Sequence, residues 1–136
     1  MHPFTDFDMA TMHTLNQAAV PATGSVDLAA LTSLCEQAVA VPSRRDGESL
    51  SAFMILLDER ADYASPNFQW FKQRLAQFLY VDRVVVDERF RGRGLGRALY
   101  VDAAELAVAR DVPITCEVNI EPPNPQSIPR NSELNR

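Results

Sequence analysis

Arg91-Gly92-Arg93-Gly94-Leu95-Gly96 brings backbone freedom and positive charge together in six residues. Glycine at alternate positions lets the main chain approach a ligand without Cβ obstruction. The run joins a valine-rich stretch, Leu79 to Val86, that reads as a strand, to Leu95 to Arg110, that reads as a helix. At such a junction the first N–H groups of the helix have no intrahelical acceptor, and they favour an anion, most often a pyrophosphate. Arg89, Arg91, Arg93 and Arg97 crowd the same loop in a chain whose net charge is −5. The overall acidity argues against a general affinity for nucleic acid, whereas a local group of guanidinium ions suits a small anionic ligand. A solvated arginine-rich turn is the plain alternative. The coincidence of the arginines with the glycines favours the ligand.

Two known phosphate motifs fail on spacing. A P-loop requires Gly-Lys-Ser/Thr after four intervening residues, and no such run is present. The dinucleotide pattern G-x-G-x-x-G beginning at Gly92 requires glycine where the chain has Arg97. Metal chemistry has no motif to support it. His2 stands at the N-terminus, His13 falls on the polar side of a helical stretch, and Cys35 and Cys116 are too far apart for a ligand pair. Each cysteine lies in an apolar segment, where a free thiol packs as a small hydrophobe.

The elements that must hold the loop are legible from periodicity and punctuation. Asp8 is expected to cap a helix carrying Met12, Leu15 and Ala19, and Ser25 a second carrying Leu28, Leu31, Leu34 and Cys35, with Pro21 to Gly24 between them. Ala38 to Val41 and Leu50 to Leu57 read as a hairpin closed by Asp46-Gly47. Ser65-Pro66-Asn67 starts a third helix, in which Phe71, Leu75 and Phe78 form an apolar stripe facing the core. Ile114 to Ile120 reads as a further strand. At 136 residues the chain suits one domain, and no apolar run is long enough to span a bilayer. With neither a basic leader nor an apolar signal core at the N-terminus, the expected location is cytoplasmic.

Arg91-x-x-Gly94-x-Gly96 directly after a valine-rich strand resembles the acetyl-CoA motif Gln/Arg-x-x-Gly-x-Gly/Ala of the GNAT superfamily of N-acetyltransferases. The resemblance runs from the first helix to Asn124. Tyr80 to Val86 is similar to the family's fourth strand, and Thr115 to Asn119 to its fifth. It implies an α/β (α+β) fold with a mixed, mostly antiparallel sheet flanked by helices, the fourth and fifth strands splaying to admit the pantetheine arm of CoA. It also implies transfer of an acetyl group from acetyl-CoA to an amine of a small molecule, peptide or protein, with no metal. The CoA contacts it implies are the main chain of Val84, Val85 and Val86, the loop Arg91, Gly92, Arg93, Gly94, Leu95, Gly96 and Arg97, and Asn124.

Family members place the general base variably. The usual position on the fourth strand holds Tyr80, so two carboxylates are candidates. Asp82 shares a strand face with Tyr80, and Glu117 shares one with Thr115 and Asn119. For each, a merely structural role is the alternative: pairing with an arginine for Asp82, a solvent-facing strand position for Glu117. Tyr63, Trp70, Tyr80 and Asn119 are the residues expected around the acceptor, although an ordinary packed tryptophan also accounts for Trp70.

The pattern breaks after Asn124. Residues 127–136 lack the family's thiolate-protonating tyrosine, carry Pro129 inside the expected helix and end before two closing strands. The expectation is therefore a truncated GNAT-like domain over 1–120 with an irregular tail over 121–136, and an exposed fifth-strand edge open to homodimer formation. A second function follows from that break: an acyl-CoA-binding protein or subunit that keeps the phosphate loop but is catalytically impaired.

Overall fold

A computed structural model of the chain describes residues 3–21 and 23–116. Its elements run α1 (Asp6–Ala18), α2 (Leu28–Gln37), β1 (Ser43–Asp46), β2 (Ser49–Asp58), α3 (Pro66–Arg74), β3 (Leu79–Val86), a 3₁₀ turn (Glu88–Phe90), α4 (Leu95–Arg110) and β4 (Ile114–Cys116). The four strands form one sheet in the order β1-β2-β3-β4. β1 with β2 and β2 with β3 are antiparallel, and β3 with β4 is parallel, so the sheet is mixed and mostly antiparallel, as expected.

β2 explains the layering. Alternate side chains point to opposite faces of a strand, and both sets here are apolar. Phe53, Ile55 and Leu57 enter a core with Met9, Met12, Leu31, Leu34 and Phe68 from α1, α2 and α3. Ala52, Met54 and Leu56 enter a second core with Leu99, Ala103 and Ala107 of α4. The sheet is thus sandwiched between three helices and one. Ala103 and Ala107, four residues apart on the buried face, let the second half of α4 sit close to the sheet. Cys35 belongs to the first core and Cys116 to the second, and burial pushes both thiols up to about 11.

Local signals differ from expectation in four places. The N-cap of α1 is Thr5, and Asp8 completes a capping box from inside the helix by accepting the Thr5 N–H at 3.1 Å. Asp27 rather than Ser25 caps α2, accepting the Ala30 N–H at 2.7 Å. Ala38 to Val41 does not form the first hairpin strand. Ala40 makes only an isolated bridge to Leu56, and the ladder proper starts at Ser43, after Pro42, which has no N–H to contribute. Ser65, Pro66 and the start of α3 fall where expected, as do the bounds of β3 and α4. The third helix is shorter than its apolar stripe: α3 ends at Arg74 with Leu75 extended, so Leu75 and Phe78 reach the same core as Phe71 from beyond the helix.

β3 carries an irregularity that matters for the site. Ile55 pairs with Arg83 and Leu56 with Val81, leaving Asp82 as an extra residue in a β-bulge. The bulge shifts the parity of the strand. Before it Tyr80 enters the core shared with α1, α2 and α3, and after it Val85 does, while Val84 and Val86 turn toward α4.

Candidate functional site

The loop from Asp87 to Gly94 is held by local chemistry at its start and by glycine at its end. Asp87 is buried; its N–H donates to the Ser51 carbonyl at 2.8 Å, and its carboxylate accepts the Arg89 N–H and guanidinium. Hydrogen bonds from the Arg89 side chain hold the Asp87 carboxyl below its ordinary value. Gly92 and Gly94 adopt φ of 83° and 77°, a conformation that costs residues with a Cβ. Gly96 does not share that constraint. A Cβ added there would first meet Val86 Cγ2 at 3.9 Å, ordinary contact.

Gly94 provides no side-chain cap for α4, and Ala98 is the residue whose N–H bonds back to the Gly94 carbonyl, at 3.0 Å. The preceding N–H groups are left for solvent or an anion. They open on a cleft of about 410 Å³. Val84, Val85 and Val86 line it on the sheet side; Phe90, Arg91 and the glycines line the loop side; Ala19 and Thr23, at the end of α1 and the start of the next loop, close the third. Among the described residues neither Arg91 nor Arg97 forms an ion pair, while Arg93 lies over the Phe90 ring at 5.0 Å. Arg89 is engaged by Asp87 at 2.8 Å, so it is not equivalent to its neighbours.

Asp82 is buried, two residues before Val84, the first cleft-lining residue of β3. Its side chain, 1 % exposed, accepts the Arg83 Nε–H at 2.6 Å. Arg83 reaches further, donating to Asn16 Oδ1 at 2.9 Å and to the Gly24 carbonyl at 3.1 Å. Burial pushes the Tyr63 phenol pKa up, and the neighbouring Asp82 carboxylate adds to the rise. Tyr80 is fully buried, stacked edge-on against Phe68 at 5.3 Å, and so belongs to the core rather than to the cleft wall. Trp70 is half exposed with the Arg74 guanidinium over its ring at 3.9 Å, and it is not among the residues that line the cleft. His13 is half-buried, and its Nε2 pairs with the Val26 carbonyl at 2.9 Å. Glu117, Asn119, Asn124 and the tail lie outside the described residues. Ala19, Phe90 and Arg83 were not anticipated, whereas Thr23 belongs to the Pro21 to Gly24 loop, which the family resemblance implies as a wall of the acceptor site. Only the crowding of Arg83 against Asp82 in the sequence hinted at one of them.

A model of the acetyltransferase (GNAT) family matches residues 36–130. The chain belongs to that family. No protein of curated function matches the sequence. Among solved structures, the ribosomal-protein-S18-alanine N-acetyltransferase from Escherichia coli superposes with a TM-score of 0.68 at 17% identity, over 96% of this chain and 72% of that one. A possible acetyltransferase from Clostridium difficile 630 gives 0.63 at 19% identity, over 96% and 84%. Chaetomium thermophilum Naa20 in complex with a bisubstrate analogue gives 0.59 at 19%, over 83% and 58%. At these identities the likeness is one of fold. The GNAT fold puts the glycine loop, the end of β3 and the start of α4 around a single cleft in this chain. The described residues contain no helix long and apolar enough to cross a membrane and no His/Cys/Asp/Glu group able to hold a metal ion.

Proposed function

We propose that this GNAT protein binds acetyl-CoA in the cleft and transfers the acetyl group to an amine of a small molecule, peptide or protein. The observation that carries the reading is the convergence of uncapped α4 N–H groups, two left-handed glycines and the exposed Arg91 on the cleft that borders Val84 to Val86. The pyrophosphate of CoA suits the α4 N-terminus and the main chain from Arg91 to Gly96. Arg91, Arg93 and Arg97 supply charge for its phosphates, with Asn124 a further contact carried by the family resemblance. Pantetheine would then run along the main chain of Val84 to Val86, whose N–H groups suit its amides and the thioester oxygen.

In the transfer, the neutral amine nitrogen attacks the thioester carbonyl carbon. A C–N bond forms, the C–S bond breaks, and the electron pair leaves on sulfur, which takes up a proton. The nitrogen loses its proton to a base or to water. Of the two carboxylates, Glu117 is the proposed acceptor of that proton, and Asp82 the counter-ion of Arg83, because the Asp82 carboxylate is shielded from solvent and already engaged. The same ion pair favours a second reading, an acyl-CoA-binding protein that does not turn over.

Calorimetric titration with acetyl-CoA followed by a thiol-release assay over a panel of amines separates the two. Binding with amine-dependent release is expected, and release in Glu117→Gln should fall by roughly 100-fold or more with affinity for acetyl-CoA retained. Binding without release in the wild type supports the non-catalytic reading. Absence of binding removes both.

A further inference from the structure

Arg83 sits where three otherwise separate parts of the molecule meet. Its Nε donates into the β3 bulge at Asp82, and its Nη1 donates both to Asn16 of α1 and to the Gly24 carbonyl of the loop between α1 and α2. Gly24 accepts a second hydrogen bond from Asn16 Nδ2 at 3.1 Å, so two buried donors converge on one loop carbonyl. Asn16 is fully buried and the Arg83 side chain is 7 % exposed, so water does not screen these contacts. The same loop supplies Thr23, and the end of α1 supplies Ala19, to the lining of the cleft that the glycine loop also borders. Arg83 also immediately precedes Val84, the first cleft-lining residue of β3.

We propose that Arg83 is a positioning residue that clamps the α1–α2 loop to the bulged strand and thereby sets the width of the cleft beside Val84 to Val86, a proposal whose ligand test rests on the acetyl-CoA reading above. The bulge is what makes the clamp possible. By turning Asp82 and Arg83 toward the same helix layer, it gives the guanidinium a carboxylate on its own strand while leaving one nitrogen to cross to α1 and the loop. Arginine's planar fork meets all three acceptors at once; a lysine ammonium, a compact charge, would keep the ion pair with Asp82 and lose the simultaneous reach to Asn16 and Gly24.

Two variants test the clamp without stranding a buried charge: Arg83→Lys, which keeps a cation beside Asp82, and Asn16→Ala, which removes the partner on α1. Each is compared with the wild type by thermal melting, by hydrogen exchange of the amides from 19 to 27, and by calorimetry with two probes. One probe is acetyl-CoA, which reaches Val84 to Val86; the other is adenosine 3′,5′-bisphosphate, which carries only part of the nucleotide end of CoA. For folded variants the expected result is exchange of the loop amides faster by roughly 10-fold. Acetyl-CoA should weaken by a similar factor while the bisphosphate changes by less than about 2-fold, since it bypasses the clamped wall. Unaltered loop exchange in both folded variants overturns the clamp, as does equal weakening of both probes. Should the wild type bind neither probe, the acetyl-CoA reading fails on its own, and the loop exchange still decides whether Arg83 holds the loop.

Discussion

Gly96 separates the needs of the fold from those of a ligand in a way that Gly92 and Gly94 cannot. The latter two sit at positive φ, so any side chain there strains the backbone whether or not anything binds. Gly96 lies in the first turn of α4, where alanine is the better helix former by up to about 1 kcal/mol and its Cβ would meet only Val86 Cγ2 at 3.9 Å. Gly96→Ala is therefore expected to leave the melting temperature unchanged or raise it by a few degrees. If the main chain at this position approaches a pyrophosphate, the same substitution should weaken acetyl-CoA at least several-fold in calorimetry. A variant that is both as stable as the wild type and as tight would show that no ligand passes close to residue 96. The substitution thus tests the cradle through a residue the fold does not need.

Between elements, the Asp8 carboxylate does two jobs: it closes the α1 capping box and pairs with Arg45 of β1 at 3.0 Å. Hydrogen bonding from Arg45 is the chief cause holding the Asp8 carboxyl below its ordinary value. A carboxyl whose pKa is lower in the folded state stabilises the fold fully above its unfolded pKa, about 3.9, and loses that contribution as pH falls through the folded value. Asp8→Asn should accordingly melt a few degrees below wild type at pH 7, and the gap should close as pH falls below about 4. A gap that is constant with pH would assign Asp8 no role as an ionised partner. This tie also bears on what the sequence could reveal. Helices and strands that own their periodicity, such as β3 and α4, were legible to the residue. Their joins were not. Period-two reasoning put Asp82 beside Tyr80, but only the pairing of Leu56 with Val81 and Ile55 with Arg83 exposes the bulge that brings Asp82 and Arg83 to one side. Likewise Ala19 and Thr23 carry no chemical signature. They line the cleft because Asn16 and Arg83 hold the loop at Gly24, a contact across 59 residues of sequence.

Across the whole molecule, the distribution of charge sharpens the contrast between an acidic chain and a cationic loop. The net charge is −5, and the ion pairs among the described residues engage Arg44, Arg45, Arg60, Arg83, Arg89 and Arg110 with aspartates. Arg91, Arg93 and Arg97 are outside every one of those pairs and are exposed, Arg91 on the wall of the cleft and the other two on the same loop and the first turn of α4. Their attraction for a polyanion therefore has to act through solvent, where screening shortens it from about 30 Å at 0.01 M salt to about 8 Å at 0.15 M. Acetyl-CoA affinity should fall several-fold as sodium chloride rises from 50 to 500 mM, an estimate on the order expected for a few exposed phosphate contacts. Arg91→Gln and Arg97→Gln should each weaken binding at low salt and flatten its salt dependence, converging with wild type at high salt. Gly96→Ala, acting through shape, should instead shift affinity by the same factor at every salt concentration. If wild-type binding proves indifferent to salt, the arginines are surface decoration, and recognition of the ligand rests on the main chain of β3 and α4 alone.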